Sequence, residues 1–261
     1  MRSQPVASPE PRLPAGTASR GPLRPGAGAR VRAASLGLVV GFGSLVACLV
    51  VLGSLAERIR DKEVIALDTY ATPFLHGLSS PAMDLLMNAA TFVGSNLVIP
   101  PLFGVAMIWL FRRRMVREAL FLGVASGGSL VLNELMKLFF QRPRPQLDWA
   151  YVLPDYSFPS GHTMNSVTFY VALAVVLWSV YGRRVGRVAV TIAVVLAVLI
   201  GVSRIYLGYH YLTDVLGGLL AGTVWLLIAA GGFRTGPLAR LGRERVAREP
   251  GISRSGQAGE R

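Results

Sequence analysis

The sequence predicts an all-α polytopic membrane protein, a six-transmembrane-helix bundle with both termini cytoplasmic. Three observations carry this. The 261-residue chain is 52% hydrophobic and only 16% charged, with a mean hydropathy of +0.48, more apolar than an ordinary soluble domain. Six apolar stretches fall at roughly 34–56, 92–111, 117–140, 163–181, 187–202 and 211–232, most near the ~20 residues that cross a bilayer. Positive charge is one-sided. If the stretches alternate, 20 of the 27 Lys and Arg residues share one face, which the positive-inside rule makes cytoplasmic. That distribution explains the net charge of +13 without nucleic acid as a partner.

Residues 1–33 are rich in Pro, Gly, Ala, Ser and Arg with no apolar period, and read as a disordered basic N-terminal tail. Cys48 closes Leu45-Val46-Ala47-Cys48, a loose likeness to a lipoprotein cleavage box. The apolar stretch runs on beyond it, so a retained first helix is the better reading. A lone cysteine also gives no disulfide framework.

Residues 57–91 form the first outer loop. Ser79-Ser80-Pro81 signals a helix start, and Met83, Leu86, Met87 and Ala90 then share one face. A short amphipathic helix at the interface fits. His76 reads as an ordinary loop histidine. Pro100-Pro101 predicts that the second stretch is kinked or in two parts.

The third helix stops near Phe140–Gln141, because Arg142-Pro143-Arg144-Pro145 cannot continue it. In the second outer loop, Trp149, Tyr151, Tyr156 and Phe158 read as interfacial belt residues or as the lining of a lipid's path. The fifth stretch is short and is expected to continue to about Leu207. Residues 234–261 form a basic C-terminal tail, leaving 34–233 as the single folded domain.

Three polar clusters stand near the outer ends of these helices. His210 and Asp214 are four apart, a spacing that puts both on one helical face. The carboxylate can take the proton of one imidazole nitrogen and leave the other as a nucleophile, although a structural helix-capping pair has the same spacing. Arg204, six residues earlier, offers a fork for two phosphate oxygens.

Pro159-Ser160-Gly161-His162 precedes the fourth helix. Helix N-terminal N–H groups attract anions, Gly161 allows close backbone approach, Ser160 adds a donor and His162 is placed as a general acid. Alone, this is also an ordinary helix start with a capping serine. Lys137 ends the third helix, seven residues before Arg144. Alone, it reads equally as a lysine snorkelling to headgroups. Glu134, one turn earlier in an apolar helix, is expected to orient it.

Together the clusters read K-x6-R-P, P-S-G-H and S-R-x5-H-x3-D, filled by Lys137, Arg144 and Pro145; Pro159, Ser160, Gly161 and His162; and Ser203, Arg204, His210 and Asp214. The chain resembles the type 2 phosphatidic acid phosphatase superfamily of integral membrane lipid phosphatases over about residues 34–232. The resemblance implies a catalytic His210 that forms a phosphohistidine, Asp214 orienting it, and His162 protonating the leaving oxygen and then activating water. It implies phosphate-binding roles for Lys137, Arg144, Ser160, Gly161 and Arg204, with no metal and no cofactor. The three histidines do not form a plausible zinc cluster either.

Charge topology places these clusters on the extracytoplasmic side of the plasma membrane. The expected substrate is a lipid phosphate or diphosphate, foremost an undecaprenyl-type polyprenyl diphosphate. Phosphatidic acid or phosphatidylglycerol phosphate is the alternative, as is a lipid phosphotransferase using the same phosphohistidine. A vanadate-dependent haloperoxidase has a similar site, but those proteins are soluble. A catalytically silent membrane protein would be expected to lack His210 or Asp214.

Overall fold

The computed structural model describes residues 43, 46–61, 66–151 and 153–235. The expectations for residues 1–33, the beginning of the first apolar stretch and nearly all of 234–261 fall outside them. Among the described residues the architecture is all-helical. Helix α1 covers residues 46–60. It is followed by α2 (Ala66–His76), α3 (Pro81–Val93), α4 (Ile99–Arg112), α5 (Val116–Phe140), α6 (Gly161–Tyr206) and α7 (Leu212–Thr235). Among the described residues, three helices are long and apolar enough to cross a membrane: Val116–Phe140, Gly161–Tyr206 and Leu212–Phe233.

Local chemistry sets several boundaries where the sequence predicts them. Ser80 caps α3, its hydroxyl accepting the Met83 N–H at 3.3 Å, with proline in the first turn. Helix α5 ends at Phe140, where Gln141 turns left-handed and its N–H returns to the Lys137 carbonyl. Elsewhere the structure corrects the reading. The stretch 92–111 is in two parts, one of the two forms expected, but it divides before the prolines and not at them: α3 ends at Val93 and Pro100-Pro101 open α4. Proline suits that first turn because its missing N–H would have no helical partner there. Helix α2 occupies part of what read as loop, and His76 lies in its last turn.

The fourth and fifth stretches are joined as α6, which breaks at Gly182 with φ +81° and ψ −172°. Only glycine adopts that conformation readily. The two halves fold back on each other, so a Cβ on Gly201 would lie 3.5 Å from Thr163 Cγ2. Helix α6 is the hub, packing against α2, α3, α4, α5 and α7. The core between them holds Leu110, Leu122, Phe169, Val176 and Ile200.

Small residues let helices approach closely, as in membrane bundles. Gly128 sits under the Trp225 ring, whose Nε1–H donates to the Ala125 carbonyl at 2.9 Å. Ser129 Oγ donates to Asn165 Oδ1 at 2.8 Å, tying α5 to α6. The outer faces carry exposed Leu130, Leu138, Val195, Val198 and Ile228. So much exposed apolar surface suits lipid rather than water.

The bundle has two chemically distinct ends. At one, Arg117 donates to the Phe233 carbonyl at 2.7 Å, and both residues line a cavity with Glu118 and Ser179. The basic α4–α5 turn and the Gly182 reversal belong to this end. At the other end, the loop from Gln141 to Ser160 and the turn from Leu207 to Tyr211 bring the polar clusters together.

Candidate active site

His210 lies in the turn between α6 and α7, not on α7 itself. Gly208 makes that turn with φ +73°, a left-handed conformation suited to glycine. The Tyr209 and His210 N–H groups both return to the Arg204 carbonyl, at 3.0 and 3.2 Å. The His210 ring is buried. Its Nδ1 lies 3.5 Å from Asp214 Oδ2 and 3.4 Å from Ser157 Oγ, and its Nε2 lies 3.1 Å from Arg144 Nη1. A guanidinium has only donors, so Nε2 must accept and Nδ1 must carry the proton. The Nε2 lone pair therefore faces the cationic side of the site. Burial pushes this imidazole down to about 4, against the pull of Asp214, so the ring is neutral at ordinary pH.

Asp214 is fully buried in the first turn of α7. One oxygen accepts the Ser157 hydroxyl and the Tyr211 N–H, and the other meets Arg142 Nη1 at 2.5 Å. The Asp214 carbonyl accepts the Ser160 N–H at 3.0 Å, joining the P-S-G-H turn to α7. Both oxygens of this carboxylate thus have fixed partners, as a buried charge requires.

Arg144 is buried and extends both arms. Its Nη1 donates to the Tyr209 carbonyl at 2.7 Å, while Nη2 and Nε meet Asp155 Oδ1 at 2.7 and 3.0 Å. Lys137 Nζ meets the other Asp155 oxygen at 2.6 Å. Glu134, expected to orient Lys137, is 4.0 Å away and 70% exposed. Asp155 takes that place because the loop after Pro145 folds back over the end of α5. Burial would raise the Asp155 carboxyl, but Lys137 and Arg144 outweigh it and hold it below its usual range.

Arg204 stacks on the Tyr209 ring at 4.2 Å and donates to Thr91 Oγ1 at 2.7 Å, while its buried Nε has no hydrogen-bond partner among the described residues. An unmatched buried guanidinium N–H suits an incoming anion. His162, half-buried in the first turn of α6, makes no hydrogen bond among the described residues. It lies within electrostatic reach of Arg204, His210, Lys137 and Arg144.

The structure therefore gathers His210, Asp214, His162, Lys137, Arg144 and Arg204 at one end of the bundle. Three further motif residues have structural partners. Ser160 is fully buried, and its hydroxyl accepts from Thr163 Oγ1 at 3.0 Å rather than capping α6 through its side chain. A Cβ on Gly161 would stand 2.9 Å from Asn133 Oδ1, so any side chain there would make Asn133 on α5 shift. Ser203 donates to the Ile200 carbonyl inside its own helix at 2.7 Å. Of the four loop aromatics, Phe158 is core: it packs on Phe140 with ring centroids 4.9 Å apart and on Gly217, which lacks the side chain that would exclude it. Trp149 stacks on His76, with centroids 4.4 Å apart.

Sequence reasoning missed Asp155, Ser157, Arg142 and Asp68, the partners that hold the named residues. Arg142 carried a weak signal as a cation two residues before Arg144. The others had none.

A family model described as the PAP2 superfamily matches residues 118–235. Phosphatidylglycerophosphatase B of Bacillus subtilis (strain 168) is 30% identical over 179 residues, spanning 68% of this chain and 88% of that protein. Undecaprenyl-diphosphatase BcrC of the same organism is 30% identical over 158 residues, spanning 58% of this chain and 76% of its own length. Among solved structures, the transmembrane PAP2-type phosphatidylglycerolphosphate phosphatase from Bacillus subtilis superposes with a TM-score of 0.66 at 27% identity. That match covers 79% of this chain and 99% of the other.

Proposed function

Because the chain belongs to the PAP2 superfamily and is a membrane lipid phosphatase, we propose that it hydrolyses a lipid phosphate or diphosphate through a phosphohistidine at His210, on the extracytoplasmic face of the plasma membrane. One observation carries the mechanism. The His210 Nε2 lone pair already points among the cations, 3.1 Å from Arg144 Nη1, while Nδ1 faces Asp214.

Nε2 attacks the terminal phosphorus, and an N–P bond forms as the P–O bond to the lipid breaks. Protonated His162 gives its proton to the departing oxygen. It then takes a proton from water, which attacks the phosphohistidine, releases inorganic phosphate and restores His210. Lys137, Arg144 and Arg204 hold the phosphoryl oxygens and stabilise the charge that grows in the transition state, with the Ser160 and Gly161 region at the start of α6 closing the cradle.

Asp155 sits in the seat a phosphate would take, with one carboxylate across Lys137 and Arg144. Its lowered pKa keeps it ionised at every working pH, so substrate has to displace it as an anion. Asp155→Asn is expected to tighten inhibition by inorganic phosphate about three- to tenfold. Unchanged phosphate inhibition would show that the carboxylate does not compete.

The one-sided positive charge supports the sidedness, with the chain read as six crossings and both termini inside. The arginine-rich turns lie at one end of the bundle and the site lies at the other. Cysteine substituted at Gln146 is expected to react with an impermeant maleimide added to intact cells. Labelling only after lysis would reverse the topology.

A polyprenyl diphosphate is the substrate we expect first, since such carriers are released on that face during envelope assembly. Phosphatidylglycerol phosphate is the second reading, favoured by a relative and a solved structure that match 68% and 79% of this chain. Initial rates of phosphate release from the two lipids, in detergent with EDTA and against a His210→Ala blank, decide between them. Faster release from the diphosphate supports the first reading, and faster release from the glycerolipid the second.

A further inference from the structure

Asp214 does not hold its arginine alone. Arg142 reaches it with Nη1 at 2.5 Å and reaches Asp68, in the first turn of α2, with Nη2 at 2.7 Å. Asp68 is itself buried and accepts both the Thr213 N–H at 2.9 Å and the Thr213 hydroxyl at 2.6 Å. The same hydroxyl oxygen accepts from Arg142 Nη1 at 2.7 Å. The guanidinium lies over the Tyr211 ring at 4.2 Å, and the Arg142 carbonyl accepts the Ser157 N–H at 2.8 Å. Arg142 is therefore fixed on every side, between two carboxylates from two helices.

We propose that Asp68 and Arg142 are a positioning pair that sets the orientation and effective charge of Asp214, making α2 a working part of the site. The inference rests on the reading of His210 as the nucleophile. Once its Nε2 carries the phosphoryl group and Nδ1 its proton, the His210 ring is a cation, and Asp214 is the nearest buried anion to balance it. An arginine bound to Asp214 alone would cancel that charge. Two carboxylates sharing one guanidinium leave the cluster with a net negative charge toward His210, while the planar fork still fixes Asp214 in place. Lysine could not bridge both carboxylates in one plane.

The competing account is that Asp68 only caps α7 through the Thr213 N–H. Asparagine caps a helix about as well as aspartate, so Asp68→Asn removes the charge and keeps an acceptor for the cap. Arg142→Lys keeps the charge and removes the fork. Both variants, wild type and His210→Ala would be purified as full chains in detergent, with phosphatidic acid as the probe substrate.

In each of the two variants kcat is expected to fall about tenfold or more, with KM within about twofold, because the pair acts on the transition state and not on phosphate binding. A capping role alone would leave kcat unchanged in both variants, and the unfolding midpoint of Asp68→Asn near that of wild type. Wild-type kcat in either variant overturns the proposal, as does a raised KM with kcat unchanged. If Asp68→Asn does not yield folded protein, Arg142→Lys decides alone by the same criteria. Activity in His210→Ala would instead overturn the nucleophile reading itself. An inactive His210→Ala beside full-rate Asp68→Asn and Arg142→Lys would overturn the positioning pair only.

Discussion

His210→Ala is expected to abolish phosphate release, by about 10⁴-fold or more, because it removes the attacking atom and no other group stands where Nε2 stands. The described residues hold one other histidine near the cations, His162, and its assigned work is proton transfer. The substitution is expected to leave the fold intact. Asp214 keeps Arg142, Ser157 and the Tyr211 N–H when the imidazole goes, so no buried carboxylate is stranded. The ring itself spans no helix–helix contact that the hydrogen bonds of Arg144 and Asp214 do not also span. Phosphate release and the thermal unfolding midpoint of the purified variant check the two halves of this prediction. Turnover near the wild-type rate would remove His210 from the mechanism.

Asp214→Asn is expected to lower kcat by about 10²- to 10⁴-fold and to leave a residual rate above that of His210→Ala. The reason is a conflict of donors. The Asp214 carboxylate accepts on both oxygens, from Arg142 on one side and from Ser157 and Tyr211 on the other. An asparagine has one acceptor to give. If its oxygen turns to Arg142, its NH₂ group faces His210 Nδ1, and the ring must shift its proton to Nε2 to accept. That puts an Nε2–H against Arg144 Nη1, which has only donors, and removes the lone pair that attacks. If its NH₂ turns to Arg142 instead, two donors meet in a buried site and the guanidinium is displaced. Either outcome weakens the nucleophile without deleting it. A variant with wild-type kcat would show that the Asp214 carboxylate does not set the His210 tautomer.

The clusters were legible because their parts are close in sequence or sit at helix ends. The i, i+4 spacing of His210 and Asp214, the prolines after Arg142 and Arg144, and the serine–proline start of α3 are local signals, and local chemistry fixes what they do. The same holds for the α5 stop at Phe140. The residues that were not legible act at a distance. Asp68 meets Arg142 across 74 positions, and Arg142 meets Asp214 across 72, and no periodicity links them. Asp155 displaced Glu134 as the partner of Lys137 because a loop path, not a helical register, carries it there. Helix α2 was hidden by Pro73 within it and by the mixed charges before it. The break at Gly182 agrees with the two stretches read on either side, since a single glycine with positive φ is enough to reverse the chain. Phe158 departed from the belt reading because only the packed structure shows the seat that Gly217 leaves open.

The most direct test of the central claim is whether the phosphoryl group of a lipid becomes bound to His210 during turnover. Purified protein would be mixed with lipid labelled in its terminal phosphate, quenched in alkaline detergent, and measured for label on the chain. A phosphohistidine is stable in base and lost in acid. The expected result is an acid-labile, base-stable label that appears in wild type and is absent from His210→Ala. Label that persists in His210→Ala, or that survives acid in wild type, would place the covalent intermediate on another residue and contradict the mechanism.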